Sequence, residues 1–459
     1  MGGLIIAGER SGAGKTTVTL ALLAALSQKS QRVQSFKVGP DYIDPMFHHF
    51  VTGRPCYNLD PVLASEDYVQ QSFAEHSQNA EYSLVEGVMG LFDGASGRDD
   101  FASTAHIARL LNRPVLLVVD CSRMSRSVAA LVHGYRSFDP RLRFAGVVLN
   151  RVGSDRHLEL LRAALEPLNL PILGVLRRQD SITIPDRHLG LVPTAELLEL
   201  RQIVERLAAL GQQCFDWEQL EPLLRAKISG QSSSQLSKSA PIIQDASPRV
   251  RIAIARDAAF SFYYPDNLEI LTQLGADLIP WSPLNDASLP EKIQGLYLGG
   301  GFPEVFAEGL AANQLMRQQI QRLIETGVPT YAECGGLMYL CQSITDFTGH
   351  TWPMLGILPT AVTMGKRLTL GYRQAVALQD SPAVEREMTV WGHEFHRSSL
   401  TGLPNQPLYK LHSYDAKPLA DPEGWQVHQV HASYVHLHWG AQPAVAARFV
   451  RQCALQKPL

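Results

Sequence analysis

Two doubly wound α/β domains are the architecture this sequence predicts, and three observations carry that expectation. Short continuous apolar runs alternate with helix-patterned stretches in both halves of the chain, as in parallel sheets covered on both faces. At 229–248 the stretch SGQSSSQLSKSAPIIQDASP, rich in Ser, Gln and Pro and without aromatic residues, interrupts that rhythm and reads as an exposed linker. The full length of 459 residues also exceeds one ordinary core, so domains of about 200 residues are expected. The expected boundaries are 1–228 for the first domain, 229–249 for the linker and 250–459 for the second domain.

In chain order, strands are expected at GLIIA (3–7), VQSFKV (33–38), YSLV (82–85), VLLVV (115–119), AGVVL (145–149) and ILGVL (172–176). Each is short, apolar and bounded by turn residues or a helical pattern, such as those at 16–28 and 155–166. The second domain restarts at VRIAIA (250–255) and continues through LIPW (278–281), GLYLGG (295–300) and VPTYA (328–332). Beyond about 354, GYRQAVAL and MTVWGHEFH make the pattern strand-rich, which predicts antiparallel additions to an α/β core. The sequence shows no convincing internal repeat.

LIIAGERSGAGKTT (4–17) reads as a strand, a glycine turn and a helix start. Gly12 and Gly14 let the backbone curl its N–H groups toward phosphate oxygens. Lys15 would reach the β- and γ-phosphates of ATP, Thr16 would ligate Mg²⁺, and Thr17 follows on the same turn, where the helix adds its positive end. The usual loop spacing would put glycine at position 9, but Glu9 stands there and the glycine is Gly8, so this loop is one residue longer. Carboxylates expected beside it are Asp41 and Asp44 after the second strand, Glu86 and Asp93 after the third, and Asp120 at the end of the fourth. Ligands gather at the carboxyl ends of such strands. Thr16, Glu86 and Asp41 are the expected metal ligands, and Tyr42, Asp44 and Asp93, together with Asp41, the expected substrate-positioning residues. Each acid also has a plainer reading as a turn or cap residue. Asn150, ending VVLN, reads equally as an adenine contact or a turn residue.

VPTYAECGGLMYL (328–340) reads as a strand, a sharp turn with Cys334 at its tip, and a helix. Small neighbours permit a tight turn around a nucleophile, and a helix N-terminus favours a thiolate. In LYLGGGFPE (296–304) the glycines, Gly300 and Gly301 among them, expose N–H groups suited to an oxyanion. A base is also needed, and the dense histidine cluster lies at VHQVHASYVHLHW (427–439).

The remaining composition narrows the class. With 41 basic and 44 acidic residues, net charge −3, no basic bias points to nucleic acid. Position 6 is Ile6, where a myristoylation signal needs Ser or Thr, and no secretory leader or run of about 18 apolar residues is read. The six cysteines are scattered and form no C-x-x-C pair, which fits a reducing cytoplasm rather than a disulfide framework or zinc site. A homo-oligomer remains open.

YAECGG, LGGGFPE and SYVHLHW resemble the triad-type, class I glutamine amidotransferases. The long glycine loop resembles the dethiobiotin synthetase branch of P-loop enzymes, which phosphorylate a carboxylate or carbamate. FKVGPDYIDP and VEGVMGLFDG resemble the synthetase half of the cobyrinic acid a,c-diamide synthase family, and domain order and length agree along the whole chain. The resemblance implies an ATP- and glutamine-dependent ligase that amidates the a and c side chains of a corrinoid acid, with Mg²⁺, Cys334 as nucleophile and His436 as base. It also exposes a departure. The wider family carries His-x-Glu, whereas here the residues are His436-Leu437-His438. The carboxylate is missing at that place, and another side chain or a carbonyl must orient His436. Competing readings are cobyric acid synthase, the a,c-diamidation of hydrogenobyrinate or nickel-sirohydrochlorin, and a partitioning-type ATPase with Arg10 as its extra basic residue. The cysteine–histidine half argues against the last.

Overall fold

The computed structural model describes residues 2–30, 32–178, 182, 194–225, 249–419 and 422–457. The chain divides into two units near Leu236/Ser237. Of the expected linker at 229–249, residues 229–248 lie outside the described residues.

The N-terminal unit is built on one parallel sheet. Its elements are β1 (Leu4–Gly8), α1 (Lys15–Lys29), β2 (Val33–Val38), α2 (Ile43–Thr52), β3 (Tyr57–Leu59), α3 (Glu66–Ser77), β4 (Tyr82–Glu86), α4 (Thr104–Leu110), β5 (Val115–Asp120), α5 (Ser127–Phe138), β6 (Phe144–Val152), α6 (Asp155–Leu165), β7 (Ile172–Arg177), α7 (Thr194–Cys214) and α8 (Trp217–Leu224). The strand order is β3-β2-β4-β1-β5-β6-β7 and every pairing is parallel. β1, β2, β4 and β5 are buried at every position, including the polar Gln34, Ser35 and Lys37 of β2 and Ser83 and Glu86 of β4. From β1 the chain passes to β2 and β3, returns to β4 beside β1 and then crosses to β5, so the carboxyl ends of β1, β4 and β5 border the switch point where such folds take ligands. α1 is buried nearly all round because α7 and α2 pack on it, which explains its run VTLALLAAL.

The expected first-unit strands form with shifts of a residue or so at their ends. β6 runs further, to Val152, because Asn150 stays paired with Asp120 and Val152 with Arg177. β3 was not expected, since three residues carry no usable periodicity.

The C-terminal unit joins two sheets. Its elements begin with β8 (Val250–Ala255), α9 (Pro265–Gln273), β9 (Ala276–Trp281), β10 (Gly295–Leu298), α10 (Ala307–Ala312), α11 (Gln314–Glu325), β11 (Thr330–Glu333) and α12 (Gly335–Leu340). They continue with β12 (Ser343–Thr345), β13 (Thr351–Pro353), β14 (Val362–Ala377), β15 (Thr389–Leu400), β16 (Tyr409–Ser413), β17 (Trp425–Val427), β18 (Val430–Ser433), β19 (His436–Leu437) and α13 (Pro443–Ala454). One sheet, β17-β18-β11-β10-β8-β9, is parallel except at β17–β18. The other, β13-β12-β14-β15-β19 with β16 beside β14, is mostly antiparallel and answers the expected additions. β18 pairs with β11 in the first sheet, and three residues later His436 pairs with His393 of β15 in the second. The chain therefore changes sheets between Ser433 and His436, beside the end of β11.

Candidate active sites

In the N-terminal unit the turn after β1 brings Gly14 to φ +100°, and α1 starts at the next residue. A side chain at Gly14 would be strained at that φ, and its Cβ would lie 2.1 Å from Asn150 Nδ2, forcing that amide to move. That amide donates to Ala13 O at 2.8 Å, and its oxygen accepts from Arg151 N at 2.9 Å. Asn150 thus supports the loop from below. Lys15 Nζ donates to Arg10 O at 3.3 Å and to Met89 O, curling over the turn. Burial and the neighbouring Lys37 lower the Lys15 pKa.

Thr16 Oγ1 donates to Glu86 Oε1 at 2.7 Å. Glu86, at the end of β4, is fully buried and central to a charged cluster. Lys37 Nζ lies 3.1 Å from its Oε1, and His48 Nε2 lies 2.7 Å from its Oε2. Cys56 Sγ stands 3.3 Å behind, at His48 Nδ1. Burial opposes ionisation of Glu86, but Lys37, His48 and Thr16 outweigh it and hold the carboxyl well below its usual range. Burial likewise opposes charge on Lys37, and Glu86, Asp44 and Asp41 override it to raise its pKa. For His48 burial is overridden by Cys56 and Glu86, which raise it to about 10. Burial and Glu86 push Asp44 up to about 7.

The other expected acids hold specific local posts. Asp41 lies 3.7 Å from Lys37 Nζ, while its Oδ1 accepts from Ile43 N at 2.8 Å and Asp44 N at 3.2 Å, capping α2. Tyr42 is buried at the N-cap position of that helix. Asp44 Oδ2 is 2.5 Å from Lys37 Nζ. Asp93 accepts from Gly90 N at 2.8 Å, closing the turn after β4. Asp120 pairs with Arg10 at 2.9 Å and Arg151 at 2.6 Å. Lys37 and His48 escaped the sequence reading, although a lysine inside the buried run VQSFKV was a usable sign of a charged cluster.

The Thr16 hydroxyl and the Glu86 carboxylate put two hard oxygens at the end of the glycine turn, a donor set that fits Mg²⁺. Among the described residues no group of three or more His, Cys, Asp and Glu could cage a metal. Mg²⁺ does not need one, since it keeps waters and takes substrate phosphates as ligands.

In the C-terminal unit Cys334 has φ +46° and ψ −99° at the junction of β11 and α12. A non-glycine residue held there marks a strained strand-to-helix turn. Cys334 N donates to Ser433 O at 2.8 Å, tying the turn to β18. Gly300 binds the site together: a Cβ on it would lie 2.5 Å from His436 Cε1, and a Cβ on Gly335 would lie 3.3 Å from Gly300 C and 3.0 Å from Gly301 N. The imidazole and the turn that carries the thiol therefore flank the same glycines.

Cys334 and His436 are both buried. Burial, with Glu304 and Glu333 nearby, pushes the thiol pKa up, and burial with His393 and His396 lowers His436 to about 3. Burial thus favours the neutral thiol and the neutral imidazole, against the thiolate expected from the helix N-terminus. The rest of the histidine cluster does other work. His428 is exposed, His431 Nδ1 lies 2.9 Å from Ser381 Oγ, and His438 Nε2 lies 3.4 Å from Asp266 Oδ2. Glu333, which the sequence reading passed over, ends β11 with Oε2 3.9 Å from His436 Nδ1. A carboxylate closing a buried apolar strand was its one sign.

Comparison with known proteins agrees with this division. Residues 4–192 match the family model of the CobQ/CobB/MinD/ParA nucleotide binding domain, and residues 251–444 that of the CobB/CobQ-like glutamine amidotransferase domain. Among curated proteins the chain is 61% identical to a cobyrinate a,c-diamide synthase of a Synechococcus species, covering 98% of each chain. It is 56% identical to one of a Synechocystis species, over 99% of this chain and 94% of that one. It is 43% identical to a hydrogenobyrinate a,c-diamide synthase of Streptomyces coelicolor, over 98% of this chain and 97% of that one.

Proposed function

The chain belongs to the family of cobyrinate and hydrogenobyrinate a,c-diamide synthases, and from that membership we propose that it amidates the a- and c-carboxylates of cobyrinic acid, using ATP and glutamine, in cobalamin biosynthesis. The observation that carries the reading is the pairing of a Lys15–Thr16 phosphate turn backed by Glu86 with a strained Cys334 turn beside His436, on one chain.

At the C-terminal site Cys334 Sγ attacks the side-chain amide carbon of glutamine while His436 takes the thiol proton. The carbonyl oxygen gains charge and accepts from the N–H groups at Gly300 and Gly301. His436 returns the proton to the amide nitrogen, the C–N bond breaks and ammonia leaves. Water, deprotonated by His436, opens the glutamyl thioester and releases glutamate, restoring the thiol. At the N-terminal site a corrinoid carboxylate oxygen attacks the γ-phosphorus of ATP and ADP leaves. Lys15 and the turn's N–H groups hold the transferring phosphoryl group, and Asn150 fixes the turn that presents them. Thr16 and Glu86 would hold Mg²⁺, which when bound neutralises phosphate charge. Ammonia attacks the acyl phosphate, phosphate leaves with its electron pair, a proton is lost and the amide remains. Asp41, Tyr42, Asp44 and Asp93 position the corrinoid. The ligase works as a small-molecule enzyme of the cytoplasm.

The test offers cobyrinate, hydrogenobyrinate and nickel-sirohydrochlorin side by side with ATP and glutamine. Conversion of cobyrinate to its a,c-diamide, faster than the other two react, is the expected result. Preferred turnover of another macrocycle moves the substrate assignment, and ATP hydrolysis without any amide formed overturns the ligase reading.

A further inference from the structure

His436 needs a group that fixes its tautomer and offsets the charge it gains, and the place two residues on is held by His438, which faces Asp266 instead. Glu333 comes from the opposite direction. It is the last residue of β11, adjacent in sequence to the nucleophile, and fully enclosed. Three contacts fix its carboxylate. Tyr331 hydroxyl donates to Oε1 at 2.6 Å, Leu437 N donates to the same oxygen at 2.9 Å, and Tyr297 hydroxyl donates to Oε2 at 3.4 Å. The Leu437 bond matters most, since it anchors the backbone next to His436 to this carboxylate. The same Oε2 lies 3.9 Å from His436 Nδ1. A small ring movement on glutamine binding would close that gap to a hydrogen bond, as catalytic contacts often tighten only with substrate.

We propose that Glu333 is the positioning carboxylate of His436, supplying from β11 what triad-type amidotransferases supply from the residue two after the histidine. The proposal rests on the Cys334–His436 reading above. It assigns the two halves of the reaction to one turn: the residue that attacks and the residue that orients its base are neighbours, pointing to different sides of a strand end. The proton path is unchanged. Nε2 of His436 exchanges the proton with sulfur and then nitrogen, Nδ1–H faces Glu333, and the carboxylate stabilises the transient imidazolium without taking its proton.

Burial pushes Glu333 up to about 7, against the Leu437 and Tyr331 bonds. The titratable groups around it are the phenols of Tyr297, Tyr331, Tyr263 and Tyr409, the Cys334 thiol and His436. The phenols and the thiol are all raised and stay neutral near neutrality. Glutamine hydrolysis should therefore rise with pH through about 7 as Glu333 ionises.

The test is Glu333→Gln in the full chain. Expected is a fall of about 100-fold in glutamine-dependent kcat, with KM for glutamine within about threefold. The acid limb near pH 7 should vanish, and amidation from ammonium salts should stay at the parent rate. Glu333→Asp, which keeps the charge but withdraws it, should lose part of kcat and keep the acid limb; it serves if the Gln variant does not fold. Glutamine turnover within threefold of the parent with the acid limb intact overturns the assignment. So does equal loss of both nitrogen sources by a folded protein. Cys334→Ala and His436→Ala run alongside. If either retains glutamine use, the underlying site reading fails; if both lose it while Glu333→Gln behaves as parent, only the role of Glu333 fails.

Discussion

At the scale of single residues, Glu333 and the acids near the phosphate turn illustrate opposite costs of charge. The folded-state pKa of Glu333 lies above its ordinary value of 4.5. Stability contributed by its neutral form is thus fully present below about 4.5 and lost as pH rises through about 7. Glu333→Gln should be more stable than the parent at pH 8.5, by at most about 3 kcal/mol, and close to it at pH 5. Thermal melts across pH would show whether the gap opens with rising pH as required. Glu86 is the reverse case, an ionised carboxylate held by Thr16, Lys37 and His48. Glu86→Gln should slow phosphorylation of both side chains of the corrinoid. Asp41 and Asp93 differ in kind, since each already satisfies backbone N–H groups. Asn at either position keeps such an acceptor and removes only charge. Asp41→Asn and Asp93→Asn should slow one amidation more than the other and let a monoamide build up. Product mass and site of amidation decide; unchanged ratios with lowered melting points would leave these acids as cap and turn residues only.

At the scale of elements, both sites are strand-to-helix turns, and each fails by crowding at a different glycine. The Cys334 turn depends on Gly300, whose missing side chain leaves the space taken by His436. A Cβ 2.5 Å from the imidazole has to displace it, and the ring is wedged at the seam between two sheets. Gly300→Ala should reduce glutamine-dependent turnover about 100-fold or more while ammonium-dependent amidation persists. Steady-state rates with the two nitrogen sources check this. These turns were legible in the sequence because a short glycine-rich string between an apolar run and a helix has few other uses. What surrounds them was not. Lys37 and His48 reach Glu86 from separate strands and helices, 49 and 38 residues away in the chain, and no local pattern encodes such a meeting.

At the scale of the whole chain, two chemistries on two units should separate cleanly by mutation. Cys334→Ala should abolish glutamine use and leave synthesis from ammonium salts. Lys15→Ala should abolish both, because its charge stabilises phosphoryl transfer whatever the nitrogen source. Parallel assays of both variants settle the division; equal loss of both activities in a folded Cys334→Ala protein, or retained synthesis in Lys15→Ala, breaks it. The sequence by itself determined the α/β class and the two strand–turn–helix turns that carry Lys15, Thr16 and Cys334. Those depend on neighbours within a few residues, where spacing dictates geometry. Tertiary structure alone decided which acid lies against Thr16, that Asn150 props the turn, and which carboxylate faces His436. Each of these is a contact between strands far apart in the chain, set by sheet order, and the passage of the chain from β18 to β19 puts His436 within reach of a residue 103 positions earlier.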